Sequence, residues 1–186
     1  EELESLRKQR DAMCNELMAL AAKLTKKREQ AAANMQQRMR ELLTPLGMPN
    51  VRFEVEVTPC DTPRPDGMDS IRFMFSANKN VPLQDIVSVA SGGEIARVML
   101  SLKALIASRQ QLPTIIFDEI DTGVSGAIAE RMAMLMKQMG SDGRQVVSIT
   151  HLPQIAARGA AHYKVYKYDT EAGTNTCVRE LDKKNV

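Results

Sequence analysis

The stretch Thr114-Ile115-Ile116-Phe117-Asp118-Glu119-Ile120-Asp121 decides how this chain folds. A short apolar run, β-branched at its start and closed by two carboxylates, reads as a fully buried strand. A second run of the same kind, Gln145 to Thr150, ends on His151. Between them Ile128, Met132, Leu135, Met136 and Met139 recur at helical spacing, and Gly140 and Gly143 mark the end of that helix. Strand, helix and strand in this order predict parallel strands and an α/β architecture. Open sheets of this class gather ligands at the carboxyl ends of their strands. Asp118, Glu119 and His151 fall at that edge.

Two acids closing an apolar strand call for an explanation, because carboxylates near a core are costly unless paired or bound to metal. One acid can hold Mg²⁺, directly or through water, while its neighbour orients and deprotonates an attacking water. Adjacent strand residues point to opposite faces, so the two need not share a role. The plainer alternative is a pair of solvent-facing acids at a strand end. His151 alone says little, but at the same sheet edge it becomes a candidate contact for a terminal phosphate.

Upstream, Ser91-Gly92-Gly93-Glu94 opens a helix whose apolar stripe runs through Ile95, Val98, Met99, Leu102, Leu105 and Ile106 until Pro113 breaks it. Ser at the N-cap with Glu three residues on is a capping box, which is reason enough for both residues. The functional alternative is that two glycines bare the backbone N–H groups at a positive helix end, where a phosphate can approach closely.

The flanks are simpler. Leu6, Arg10, Met13, Leu17, Leu20 and Leu24 alternate spacings of four and three, a heptad seam, and Ala31, Met35, Met39 and Leu42 continue it in a shifted phase. Residues 1–43 therefore read as one long helix, with a coiled-coil strand and an amphipathic helix lying on its own domain both open. Thr44-Pro45-Leu46-Gly47 ends it. Val51, Phe53, Val55 and Val57 alternate with Arg52, Glu54 and Glu56, a half-buried strand, and Ile71, Phe73 and Phe75 alternate in the same way. Thr58 to Asp69, with Pro59, Pro63, Pro65 and Gly67, is expected to be a loop joining an antiparallel pair. A short helix is expected after Pro153. His162–Tyr168 and Thr176–Leu181 are expected to be strands around a turn at Glu171-Ala172-Gly173.

Composition excludes several classes. Of 186 residues, 44% are hydrophobic and 26% charged, as in ordinary globular proteins, and a formal net charge of +2 is too small to signal nucleic-acid binding by itself. The 3 cysteines, Cys14, Cys60 and Cys177, are scattered without CxxC spacing, which argues against a disulfide framework or a zinc site and fits a reducing cytoplasm. No apolar run is long enough to span a bilayer. The start at Glu1, inside a helical pattern and without Met, is read as the cut end of a longer protein.

Taken in order, three stretches resemble the signature, Walker B, D-loop and switch-histidine motifs of the ABC-type ATPases, and within them the SMC-like group. They are Val89-Ala90-Ser91-Gly92-Gly93-Glu94, Phe117-Asp118-Glu119-Ile120-Asp121-Thr122-Gly123-Val124-Ser125-Gly126, and Thr150-His151-Leu152-Pro153-Gln154-Ile155-Ala156. Ala90 stands where many ABC proteins have Leu, and Ser125 where many SMC proteins have a second D-loop Asp. The resemblance covers nearly the whole chain. It implies an α/β fold: the C-terminal lobe of an ABC/SMC-type ATPase head, with a parallel sheet flanked by helices, an antiparallel strand pair and an N-terminal coiled-coil helix. Residues 1–43 would be the C-terminal strand of the coiled coil, and 44–186 the C-terminal half of a split head.

The resemblance also implies roles. Ser91, Gly92 and Gly93 would contact the γ-phosphate of ATP bound to an opposing head. Asp118 would support Mg²⁺, Glu119 would be the catalytic base, and His151 would contact the γ-phosphate in its own head. Asp121 would belong to the D-loop at the head–head interface, counted with the nucleotide-binding residues. The implied protein hydrolyses ATP between two heads, works on DNA in double-strand break repair, has no membrane partner, and resides in the cytoplasm, on the nucleoid when engaged.

None of the 10 glycines is followed by Lys, so the P-loop is absent, and no credible Q-loop is present either. In split heads the P-loop lies in an N-terminal half across the coiled coil. That half is the expected partner, and this chain by itself is expected to be inactive. Two rivals remain: a catalytically silent coiled-coil adaptor, and a fragment of another ABC-type ATPase. A transporter ATPase would carry signature and P-loop in one continuous domain, which the heptad helix and the Pro-rich strands before Ser91 speak against.

Overall fold

A computed structural model describes residues 1–89, 91–110, 112–141, 143–170 and 173–182. Ala90 and two residues of the expected turn, Glu171 and Ala172, lie outside the described residues. The chain divides into two compact units: Glu1–Thr44 with Met48–Ala90, and Pro45–Gly47 with Ser91–Val186.

The first unit is built on helix α1, Glu2–Leu43. No Gly or Pro interrupts it, so 42 residues extend about 63 Å at 1.5 Å per residue. Its buried residues, Ala32, Met39 and Leu43, lie toward its C-terminal end, while the seam residues Leu6, Met13, Leu17 and Leu20 are exposed. Against α1 pack β1, Arg52–Arg64, and β2, Gly67–Ser76. They pair antiparallel with Phe53 opposite Phe75 and Val55 opposite Phe73. A two-residue β3, Gln84–Asp85, adds to β2, and a 3₁₀ turn follows at Ile86–Ser88.

The alternating faces are those read from the sequence, but the expected loop at Thr58–Asp69 is not a loop. Apart from a tight turn at Pro65-Asp66 it belongs to the two strands. Pro59 and Pro63 are tolerated because β1 is an edge strand whose outward N–H groups need no partner, and the register shifts between Pro59 and Arg64.

A polar cluster ties the hairpin to the helix. Asp69 is buried; its Oδ2 accepts from Arg28 Nη1 at 2.8 Å and its Oδ1 from Thr25 Oγ1 at 2.7 Å. The Asp69 backbone oxygen accepts from Arg64, and Arg28 Nη2 reaches the Asp66 carbonyl. The hydrogen bond from Arg28, and after it that from Thr25, holds the Asp69 carboxyl below the usual carboxylate range.

The second unit contains α2, Gly92–Arg109; β4, Thr114–Asp118; α3, Gly126–Ser141; β5, Gln145–Ile149; α4, Pro153–Ala156; β6, Tyr163–Thr170; and β7, Gly173–Glu180. Gly140 lies within α3 rather than ending it, and the left-handed residue beyond the helix is Gly143. Strands β4 and β5 run parallel, with Thr114 opposite Gln145 and Asp118 opposite Ile149. One face of this pair turns Ile115 and Phe117 into a core with Leu100 and Ala107 of α2 and Ala129, Met132, Ala133 and Met136 of α3. The other face carries Ile116, Val147 and Ile149, exposed at 56%, 39% and 50%. The two strands expected to be fully buried are therefore covered on one face only, because α2 and α3 both pack on the Ile115 and Phe117 side. Strands β6 and β7 form an antiparallel hairpin. His162 Nε2 lies 2.7 Å from the Ala156 carbonyl, and Leu181 N donates to His162 O at 2.8 Å.

Candidate functional site

The chemistry-bearing residues of the sequence meet at the carboxyl ends of β4 and β5. Glu119 N donates to Ile149 O at 3.1 Å, which extends the parallel ladder one residue past β4. There the backbone turns sharply: Glu119 has φ +46°, the left-handed region, and no other non-glycine residue among those described has a positive φ. A side chain in that conformation costs roughly 1–2 kcal/mol. Thr122 holds the turn, its N and Oγ1 donating to Glu119 O at 3.3 and 2.9 Å. Asp118 and Glu119 are both exposed at the sheet end. Strand alternation puts Asp118 on the face that carries Ile116, opposite Phe117.

Asp121 takes a different environment. It is buried, and its Oδ2 accepts a hydrogen bond from Thr150 Oγ1. Thr150 Oγ1 in turn accepts from Leu152 N at 3.0 Å, which sets the chain's path after β5. His151, whose side chain is 69% exposed, places Nδ1 3.9 Å from the same Asp121 oxygen. Asp121 Oδ1 is also buried and has no hydrogen-bond partner among the described residues.

The glycines of the signature stretch separate into two kinds. Ser91 caps α2, its Oγ accepting from Glu94 N at 3.4 Å, so the capping role is real. A Cβ on Gly93 would meet the Gly123 carbonyl oxygen at 2.9 Å, and Gly123 itself has φ +73°. Backbone lies against backbone there, and that contact accounts for Gly93 and Gly123 together. It also brings the start of α2 against the loop that follows Asp118 and Glu119. A Cβ on Gly92 would meet nothing within 4 Å. Packing among the described residues gives no reason for that glycine.

Three nearby residues were not singled out from sequence. Thr150 looked like the last residue of a strand, and only its contact with Asp121 shows more. Lys103 Nζ donates to Ile116 O at 3.1 Å and stands 5.0 Å from the Phe117 ring centroid, covering the edge of β4. Arg97, near the start of α2, has a buried Nε without a partner among the described residues. Burial holds its guanidinium below the usual arginine range, and the neighbouring Glu94 carboxylate opposes that shift.

No cluster of three or more His, Cys, Asp or Glu gathers as a metal cage among the described residues. The donor set fits Mg²⁺ all the same, because that ion commonly takes one or two carboxylates and completes its shell from phosphates and water.

Comparison with known proteins narrows the family. No protein-family model matches the sequence. The chain is 37% identical over 183 residues to the DNA repair protein RecN of Halalkalibacterium halodurans, a match that takes in 96% of this chain and 32% of that protein. RecN of Bacillus subtilis is 35% identical over 196 residues, with 97% of this chain and 34% of that protein covered. Over almost all of its length the chain is a RecN-like sequence.

It spans about a third of the length of these curated relatives. The fold is that of an SMC head. The Smc head domain with coiled coil and joint from Pyrococcus yayanosii superposes with a TM-score of 0.65 at 22% identity, covering 99% of this chain and 34% of that one. A structure described under ATP-driven dimerization and DNA-stimulated activation of SMC ATPases matches with a TM-score of 0.58 at 20% identity, covering 87% of this chain and 91% of that one.

Proposed function

We propose that this RecN-like chain is the C-terminal half of a split ATPase head, with residues 1–43 forming one strand of a coiled coil and 44–186 belonging to the head. In this reading the intact protein binds and hydrolyses ATP between two heads and acts on DNA in double-strand break repair. The observation that carries it is Glu119: a carboxylate held in a left-handed conformation at the end of β4, beside Asp118 and on the same sheet edge as His151. Backbone strain of this kind persists where the surrounding fold imposes it, and it clusters at active sites.

Glu119 would accept a proton from the water that attacks the γ-phosphorus, as the bond to the ADP oxygen breaks and ADP leaves. Asp118 would hold Mg²⁺, which supplies charge neutralisation on the phosphate oxygens. His151, exposed at the end of β5, would contact the γ-phosphate. Ser91, Gly92 and Gly93 would meet ATP held by a second head. Gly92 supports that role, since no contact among the described residues requires a glycine there.

The missing N-terminal half supplies the P-loop in this proposal. Parallel sheets normally have both faces covered, and the exposed Ile116, Val147 and Ile149 mark the face where that half would pack. The exposed seam of α1 would take the returning coiled-coil strand in the same way. No described helix is long and apolar enough to cross a membrane, and the proposed setting is the bacterial cytoplasm.

ATP turnover by this chain combined with its N-terminal half tests the proposal. Glu119→Gln is expected to lower kcat about 10²–10⁴-fold while nucleotide still binds. An associated but inactive wild-type mixture would favour the silent adaptor instead.

A further inference from the structure

We propose that Asp121 and Thr150 are positioning residues for His151, an internal pair that fixes the imidazole in the head to which it belongs. This rests on the reading of His151 as a phosphate contact, and adds a role that the D-loop assignment of Asp121 does not contain. The geometry is specific. The Asp121 side chain is 0% exposed, although it lies in the loop that follows two exposed acids. Its Oδ2 accepts from Thr150, the residue immediately before His151, and lies 3.9 Å from His151 Nδ1.

A carboxylate oxygen only accepts, so a small approach of the ring would place the hydrogen on Nδ1 and leave Nε2 directed away from Asp121. The ring is 69% exposed and free to make that adjustment. Thr150 does two things at once: it donates to Asp121 and accepts from Leu152 N, which fixes the backbone on both sides of His151.

A pair serving the fold alone would be expected to satisfy the whole carboxylate, because a buried oxygen without a partner is costly. Asp69 shows that arrangement, with donors on both oxygens. Asp121 has Oδ1 buried with no partner among the described residues, and a histidine standing just beyond hydrogen-bond range of Oδ2. Asp121 therefore sits at a cost to the fold, next to a side chain whose orientation matters in that reading. The same pair ties the loop after Glu119 to the end of β5, so the proposed base and the proposed phosphate contact move together.

The test is steady-state ATP hydrolysis by the full-length protein with Thr150→Val, Thr150→Ser, His151→Ala and the double substitution of Thr150→Val with His151→Ala, beside ATP binding measured by a fluorescent analogue. Thr150→Val keeps the shape and removes the hydroxyl. It is expected to lower kcat roughly 10-fold to 100-fold with little change in binding, in line with losses seen when supporting partners of functional side chains are removed. Thr150→Ser should recover most of that loss.

With His151 already replaced, Thr150→Val should cost little more, because the pair acts through that ring. Equal losses in both backgrounds would overturn the positioning role and leave a structural one. So would a Ser variant as impaired as the Val variant. Asp121→Asn, nearly isosteric, gives an independent check with the same expected dependence on His151. A wild-type protein that binds ATP and never hydrolyses it would remove the parent reading and this one together, an outcome distinct from an active enzyme with additive losses.

Discussion

Two buried carboxylates, one in each unit, are handled in opposite ways. Asp69 at the β1–β2 hairpin has donors on both oxygens, from Thr25 and Arg28 of α1, and its carboxyl is held below the ordinary range. Asp121 after β4 has one oxygen bonded to Thr150 and the other buried without a partner, three residues from Asp118 and two from the left-handed Glu119. The first region is a brace in which charge and geometry are settled within the chain. The second keeps unsatisfied groups and strain, as expected of a surface completed by something else. Where polar groups are fully partnered, removal is expected to cost stability; where they are strained or left unsatisfied, removal is expected to cost activity.

The neighbouring glycines offer the sharpest way to break that contrast. Gly93→Ala must push the Gly123 carbonyl away from a Cβ built 2.9 Å from it. It is expected to destabilise the chain by roughly 1–3 kcal/mol in chemical unfolding. Gly92→Ala meets nothing and should be neutral or stabilising by up to about 1 kcal/mol, yet lower ATP turnover once the second head engages. Equal stability losses at both positions would mean that Gly92 has a packing reason the contacts do not reveal.

Glu119→Asn places a residue tolerant of the left-handed region at φ +46°. Unfolding should show a gain of several tenths to about 1 kcal/mol, together with loss of hydrolysis. A destabilised variant would show that Glu119 stabilises its own turn and that the strain argument fails.

The smallest effect concerns the brace. Because the folded-state pKa of Asp69 is depressed, its contribution is present above the unfolded carboxylate value, about 3.9, and is lost as pH falls through that value towards the lower folded one. Acid titration of stability should therefore show an extra loss below about pH 4 in the wild type. Replacing Arg28 with Met should shrink it, and a loss that does not depend on Arg28 would sink the brace.

Much of the fold was legible without coordinates. The α1 helix, the alternating strands and the parallel strands ending in Asp118-Glu119 and Thr150-His151 depend on residues a few positions apart, and these elements formed where they were read. The parallel strands, expected to be fully buried, are covered on one face only. The loop expected at Thr58–Asp69 became strand because Pro forbids an N–H donor rather than an extended backbone, and only the position of β1 at the sheet edge made that donor dispensable.

The sequence by itself determined the elements, their order and the edge at which the acids and the histidine would collect, since local spacing sets which face of a helix or strand is apolar. The tertiary structure alone decided that Gly93 lies on Gly123, that Asp69 joins Thr25 and Arg28, and that Asp121 turns inward to Thr150. Those partners stand roughly 30 to 45 residues apart in the chain, and periodicity carries no record of which distant residues folding will bring within hydrogen-bond reach.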